Sequence, residues 1–79
     1  MYDDVIINPS ALKRAGIDEN DIRCAYRNII NCFENGLRMC LGWDGKGRIL
    51  EIGIDTSKHE IEIVHAMPAR KFYLRRSGL

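Results

Sequence analysis

Residues 35–63, NGLRMCLGWDGKGRILEIGIDTSKHEIEI, contain three reversals and the strands between them, and their reading decides the fold. Asn35-Gly36 is the strongest two-residue hairpin signal in the chain, because that reversal needs positive φ at both central positions. Taken as the turn, it sets Glu34 opposite Leu37, Cys32 opposite Met39 and Ile30 opposite Leu41. Asp44-Gly45-Lys46-Gly47 supplies a second turn, placing Leu41 opposite Leu50, Met39 opposite Ile52 and Leu37 opposite Ile54. A third, over residues 56–59, sets Ile54 opposite Ile61 and Ile52 opposite Ile63. Side chains alternate across a pleated sheet. This register therefore gathers Leu37, Met39, Leu41, Leu50, Ile52, Ile54, Ile61 and Ile63 on one face. Cys32 and Cys40 fall on opposite faces of their hairpin, so no disulfide is expected between them.

A sheet with one apolar face needs a cover, and the N-terminal side supplies it. Val5-Ile6-Ile7 reads as a short extended lead-in. Asn8-Pro9 then starts a helix, with an Asn cap and proline at the first helical position. Ser10-Ala11-Leu12-Lys13-Arg14-Ala15 continues it for under two turns, and Gly16 suits the left-handed residue that closes it. Asp18 caps a second helix, with Ile17 and Ile22 as a hydrophobic staple and Ile22, Ala25, Tyr26 and Ile29 on its apolar face. The expected fold is α+β, with residues 1–79 as one domain. Two short N-terminal helices pack on a four-stranded antiparallel β-meander, followed by a short C-terminal helix or basic tail.

On the other side lies HEIEIVHAMPARKFYLRR, residues 59–76. The strand alternation runs out at Pro68, which has no N–H to donate. Arg70, Lys71, Arg75 and Arg76 follow, with Phe72 and Tyr73 between them. Such a segment suits phosphate contact and base stacking; it equally reads as a short helix with aromatics inward and cations outward. Charge follows the same division: residues 1–44 carry −2 and residues 45–79 carry +3. That asymmetry points to an anionic ligand or an acidic partner at the C-terminal end. Trp43, Met39 and Met67 read as packing residues.

No run approaches the roughly 18–20 apolar residues of a membrane span, and the acidic Met1-Tyr2-Asp3-Asp4 is unlike a signal peptide, so no membrane partner is expected. Three cysteines without a CxxC pair read as reduced thiols in a cytoplasmic protein. Cys24, Cys32, Cys40, His59 and His65 lack zinc-ligand spacing, so neither a metal nor a cofactor is expected.

The face opposite the expected core carries Phe33, Arg38, Cys40, Glu51 and Glu62, with Arg70 arriving from the tail. Arg38 near Glu51 is in the ordinary case a solvated cross-strand pair. Its chemical reading is a phosphate clamp beside a base. Cleaving RNA without a metal requires a group to take the 2′-OH proton and cations for the developing charge. His65 alternates onto the core side opposite Leu50, unless a bulge near Met67-Pro68 re-aims it toward the tail. The candidate catalytic residues are thus His65, Arg70, Glu51 and Arg38. The candidate nucleic-acid contacts are Lys71, Tyr73, Arg75, Arg76 and Arg48.

Three segments resemble one known group: Ala11-Leu12-Lys13-Arg14-Ala15-Gly16-Ile17 with Asp21-Ile22, Gly47-Arg48-Ile49-Leu50-Glu51-Ile52, and Ile63-Val64-His65-Ala66-Met67-Pro68-Ala69-Arg70. Together with the order of elements, they resemble the BrnT-like branch of the RelE/ParE toxin superfamily of bacterial type II toxin–antitoxin systems. The resemblance implies a small cytosolic endoribonuclease that cuts messenger RNA, on or off the ribosome, without a metal and is neutralised by an antitoxin protein. Two positions depart from that branch: Ala15 stands where a histidine is usual. The strand-end Ser-Ala-Arg is represented by either His65-Ala66-Met67 or Pro68-Ala69-Arg70. A same-fold, ParE-like toxin that inhibits a protein target such as a topoisomerase, and a non-catalytic nucleic-acid-binding or adaptor module, remain the alternatives.

Overall fold

Asn35 does not enter the tight turn that its dipeptide signals. In the computed structural model, which describes residues 5–79, no residue other than glycine has positive φ, and Gly36 alone (φ +78°) makes the reversal. Asn35 stays extended and donates its side-chain amide to the Tyr73 hydroxyl at 2.9 Å. It therefore closes strand β2 (Ile29–Asn35) and pairs with Leu37, the first residue of β3 (Leu37–Trp43). The second reversal is longer than expected by one residue. Asp44 Oδ1 accepts the backbone N–H groups of Lys46 and Arg48, both at 2.8 Å, which draws Arg48 into the loop before β4 (Ile49–Asp55).

The first two hairpins thereby slip by one position, and a one-residue slip reverses every side chain; the third slips by two, Ile54 pairing with Ile63 rather than Ile61. Cys40 pairs with Ile52 and Leu41 with Glu51. Leu50, Ile52 and Ile54 keep the face assigned to them, whereas Leu37, Met39 and Leu41 turn to the other. The expectation of one apolar face is thus corrected to two. The first packs Ile52 and Ile63 against Ile17, Ile22 and Ala25; the second packs Met39 and Leu41 against Tyr73. Cys32 and Cys40 stand directly opposite one another and are joined by a disulfide, contrary to the free thiols expected; Cys24 remains free. Trp43 is 45% exposed rather than packed.

The four-stranded antiparallel meander is also corrected. Val5–Ile7 is itself a strand, β1, and pairs in parallel with β5 (Ile61–Pro68), Val5 beside Ile61 and Ile7 beside Ile63. The sheet is five-stranded and mixed, in the order β1-β5-β4-β3-β2. Three β-branched residues next to an uncovered strand edge find their backbone partners there. The acidic Met1-Tyr2-Asp3-Asp4 lies outside the described residues.

The helical segments start where their caps specify. Asn8 Oδ1 accepts Ser10 N–H at 2.9 Å, but only a 3-10 turn forms over Pro9–Leu12, and Gly16 follows with φ +84°. Asp18 caps α1 (Glu19–Arg27) in a reciprocal box with Asp21. The buried Asp21 carboxylate also receives Lys46 at 3.0 Å and Arg48 at 3.3 Å, which ties the helix start to the second turn. Gly42 lets α1 settle directly on β3, since a Cβ there would run into the Ala25 carbonyl. On the opposite face lies α2 (Lys71–Arg76), short and held by Tyr73. None of the described helices is long and apolar enough to cross a membrane.

Candidate functional site

Strand alternation alone would keep His65 with Ile63 on the α1 face. The β4–β5 register shifts instead: Ile54 pairs with Ile63 but Gly53 with His65, leaving Val64 as one extra residue. That bulge resets the alternation. Ile63 stays on the first face, while His65 joins Glu51, Gly53 and Met67 on the second. Gly53 provides the space, because a Cβ there would stand 3.0 Å from both His65 Cβ and Leu37 Cδ1.

Glu51 occupies the centre of this face with no exposed side-chain surface. Its Oε2 lies 3.0 Å from His65 Nε2. Arg70 reaches it three ways: the backbone N–H donates to Oε1 at 2.9 Å, Nε is shared between Oε1 at 3.0 Å and Oε2 at 3.1 Å, and Nη2 donates to Oε2 at 2.7 Å. Burial by itself would raise the Glu51 carboxyl. The hydrogen bonds from Arg70 and His65, together with the Arg70 charge, outweigh it and hold the group below the ordinary glutamate range. Glu51 is therefore ionised at neutral pH and enclosed, a post for the other two groups rather than a base that meets substrate. Arg70 is the N-cap residue of α2 and its guanidinium lies 5.6 Å from the Tyr73 ring centroid, so docking of α2 completes the arrangement.

Each partner keeps one face available. Facing an ionised carboxylate, His65 Nε2 carries the proton and Nδ1 is left as an acceptor. Nδ1 has no partner among the described residues and is not among their buried unsatisfied atoms, so solvent reaches it. Arg70 commits Nε and Nη2 to Glu51 and leaves Nη1 without a partner among the described residues; its side chain is 55% exposed.

Of the four candidate catalytic residues, His65, Arg70 and Glu51 come together and Arg38 does not. The register slip turns Arg38 to the α1 face beside Ile54, where Nε binds Glu34 at 2.8 Å. Cys40 likewise leaves the expected outer face and is buried on the α1 side. The nucleic-acid candidates divide as well. Lys71 and Arg75 are exposed on α2, and Arg76 lies over the rings of Phe33 and Phe72, at 4.9 and 5.6 Å from their centroids. Tyr73 is buried and bound through its hydroxyl, so it cannot stack on a base; Phe72, 58% exposed, can. Arg48 is spent on Asp44 at 2.6 Å, on Asp21 and on the Gly16 carbonyl.

His65 also lines a cleft of about 760 Å³ between β5 and the turn after the 3-10 segment, with Ser10, Lys13, Arg14 and Ala15 on the far wall. Lys13 and Arg14 were not among the candidates. Gly53, inside strand β4, is a sequence signal for the nearby bulge. No group of three metal-ligating side chains stands together among the described residues. No family model, no curated protein and no solved structure matches this chain.

Proposed function

We propose that this chain is a metal-independent endoribonuclease of the RelE/BrnT toxin type, acting on messenger RNA in the cytoplasm and held in check by an antitoxin protein. The observation that carries the reading is His65 and Arg70 fixed side by side on one buried carboxylate, each with a free nitrogen. In this mechanism His65 Nδ1 takes the 2′-OH proton and the 2′-oxygen attacks phosphorus. The P–O5′ bond breaks, the leaving oxygen takes a proton from water, and the hydroxide so formed takes back the proton held on His65. The products are a 2′,3′-cyclic phosphate and a 5′-hydroxyl. Arg70 Nη1 stabilises the charge gathering on the phosphoryl oxygens. Glu51 is a positioning residue: it fixes the imidazole tautomer and aims the guanidinium. Lys71 and Arg75 supply backbone contacts, and Phe72 a stacking surface. Exposed Phe72, Trp43 and Ile30 offer apolar area to an antitoxin.

The test is incubation of RNA with purified protein in chelator, beside His65→Ala and Arg38→Ala. Cleavage lost in His65→Ala and kept in Arg38→Ala is the expected result. Equal cleavage by wild type and His65→Ala removes His65 from the chemistry. No cleavage by wild type, with or without ribosomes, leaves the binding-only readings, in which the Glu51–Arg70 contact serves only to dock α2.

A further inference from the structure

Beyond Glu51, the strongest unassigned feature is the cleft beside His65. β1 covers only residues 61–63 of β5, so from Val64 onward that edge has no strand next to it. The facing wall is tied down. Asn8 N–H donates to the Ile63 carbonyl at 2.9 Å, and Ser10 Oγ donates to the Val64 carbonyl at 2.6 Å. Lys13 and Arg14 stand on this wall, both exposed, with no carboxylate partner among the described residues. Lys71, Arg75 and Arg76 of α2 likewise bond no carboxylate among the described residues, whereas Arg38, Lys46, Arg48, Lys58 and Arg70 each do. Among the described residues no acidic side chain lines the cleft, and Ala15 contributes only a methyl group to it.

Two cations without a carboxylate partner, beside a trough that the described residues line without an acid, make an anion site. Its volume of about 760 Å³ has room for more than one phosphate with its sugar. We infer that this cleft seats the backbone of single-stranded RNA, with Lys13 and Arg14 on the phosphate adjoining the one that lies over His65. The inference rests on the ribonuclease reading for the identity of the strand. A single strand is required because the 2′-oxygen must swing in line with the leaving 5′-oxygen, which a stacked duplex resists. The tied wall means that the site is formed before RNA arrives, so binding costs little ordering of the protein.

The experiment separates binding from chemistry. A short labelled 2′-O-methyl oligonucleotide has no nucleophile and is not cut; its binding is followed by fluorescence anisotropy across a salt series. Lys13→Ala/Arg14→Ala is expected to weaken binding about tenfold at ~50 mM salt and to flatten the plot of log Kd against log salt by roughly 1.4, the share of two phosphate contacts on a single strand. Circular dichroism checks that the exposed double variant is folded. The same affinity and slope in wild type and double variant overturns the groove, and cleavage of all-ribose RNA by that same protein would leave the ribonuclease reading intact. Binding that depends on Lys13 and Arg14, without cleavage by wild type, removes the ribonuclease reading and keeps the groove. Displacement by polyglutamate at the same charge concentration as oligonucleotide would identify an acidic protein as the occupant and overturn the RNA assignment.

Discussion

Glu51→Gln separates the stabilising and chemical duties of one side chain. The carboxylate is enclosed and accepts from the Arg70 N–H, Nε and Nη2 and from His65 Nε2, all within 2.7–3.1 Å. Glutamine has almost the same shape but one acceptor oxygen, and its nitrogen only donates. The substitution therefore sets a donor against donors. Removing the buried anion leaves no buried charge behind, because the Arg70 side chain is 55% exposed and turns to water. The loss at Glu51 thus lies at the low end for a charge-assisted network, about 2 kcal/mol. For a chain of this size that lowers Tm by about 10 °C.

The second effect is local to the imidazole. Opposite a glutamine amide N–H, His65 Nε2 must accept, so its proton moves to Nδ1 and the base is lost. Cleavage is expected to fall by roughly 10²–10⁴-fold, the range for a general base. Thermal melting followed by circular dichroism reads the first effect. Nitrogen-15 shifts of the imidazole, which distinguish the tautomers, read the second. A Tm within about 2 °C of wild type would refute the buried clamp, since that is the range of an ordinary surface change. A changed tautomer with undiminished cleavage would refute the role of Nδ1.

Glu51, Asp21 and Asp44 all have carboxyls held below their ordinary range: burial opposes this in each, and hydrogen bonds with nearby cations prevail. Their stabilisation is complete above the unfolded carboxylate range near pH 4 and is lost as pH falls through the folded values, so the Tm is expected to be flat from about pH 6 to 8 and to drop below about pH 4; a Tm that rises on acidification would contradict this. Gly42→Ala drives a methyl group into the Ala25 carbonyl and is expected to cost about 3 kcal/mol in urea unfolding, with α1 pushed off β3. Alkylation of the unreduced, denatured protein is expected to label Cys24 alone, and three thiols after reduction; three labels without reductant would contradict the observed β2–β3 register.

What was legible in the sequence was local chemistry. The Asn8 and Asp18 caps, the left-handed Gly16 and the shared burial of Ile17 and Ile22 follow from short-range hydrogen bonding and packing. Glu51 and Arg70 share the outer face in the expected register, but the partner expected for Glu51 there is Arg38, not Arg70. What was not legible depended on contacts made at a distance. Asn35 stays extended because Tyr73, 38 residues away in sequence, holds its amide. Arg48 enters a loop because Asp44 binds its N–H. Val5–Ile7 becomes a parallel strand because β5 has an edge to fill, which no local pattern announces.

These errors have a common consequence, and it is the site. In the expected register Glu51 stands on the outer face beside Arg38, a solvated pair, with His65 on the far side of the sheet. The slip at the second turn places Glu51 beside Leu41 and Met39, on a face that now needs its own cover. α2 provides that cover through Tyr73, and in docking it carries Arg70 onto the carboxylate. The extra residue at Val64 then turns His65 to the same face, while Ile63 stays in the first core. A chain without either irregularity would add Leu37, Met39 and Leu41 to the α1 face and leave His65 in the core. Two local departures from regular pairing, each a single residue, are what convert a packed sheet into one with an ionised glutamate, an imidazole and a guanidinium in contact.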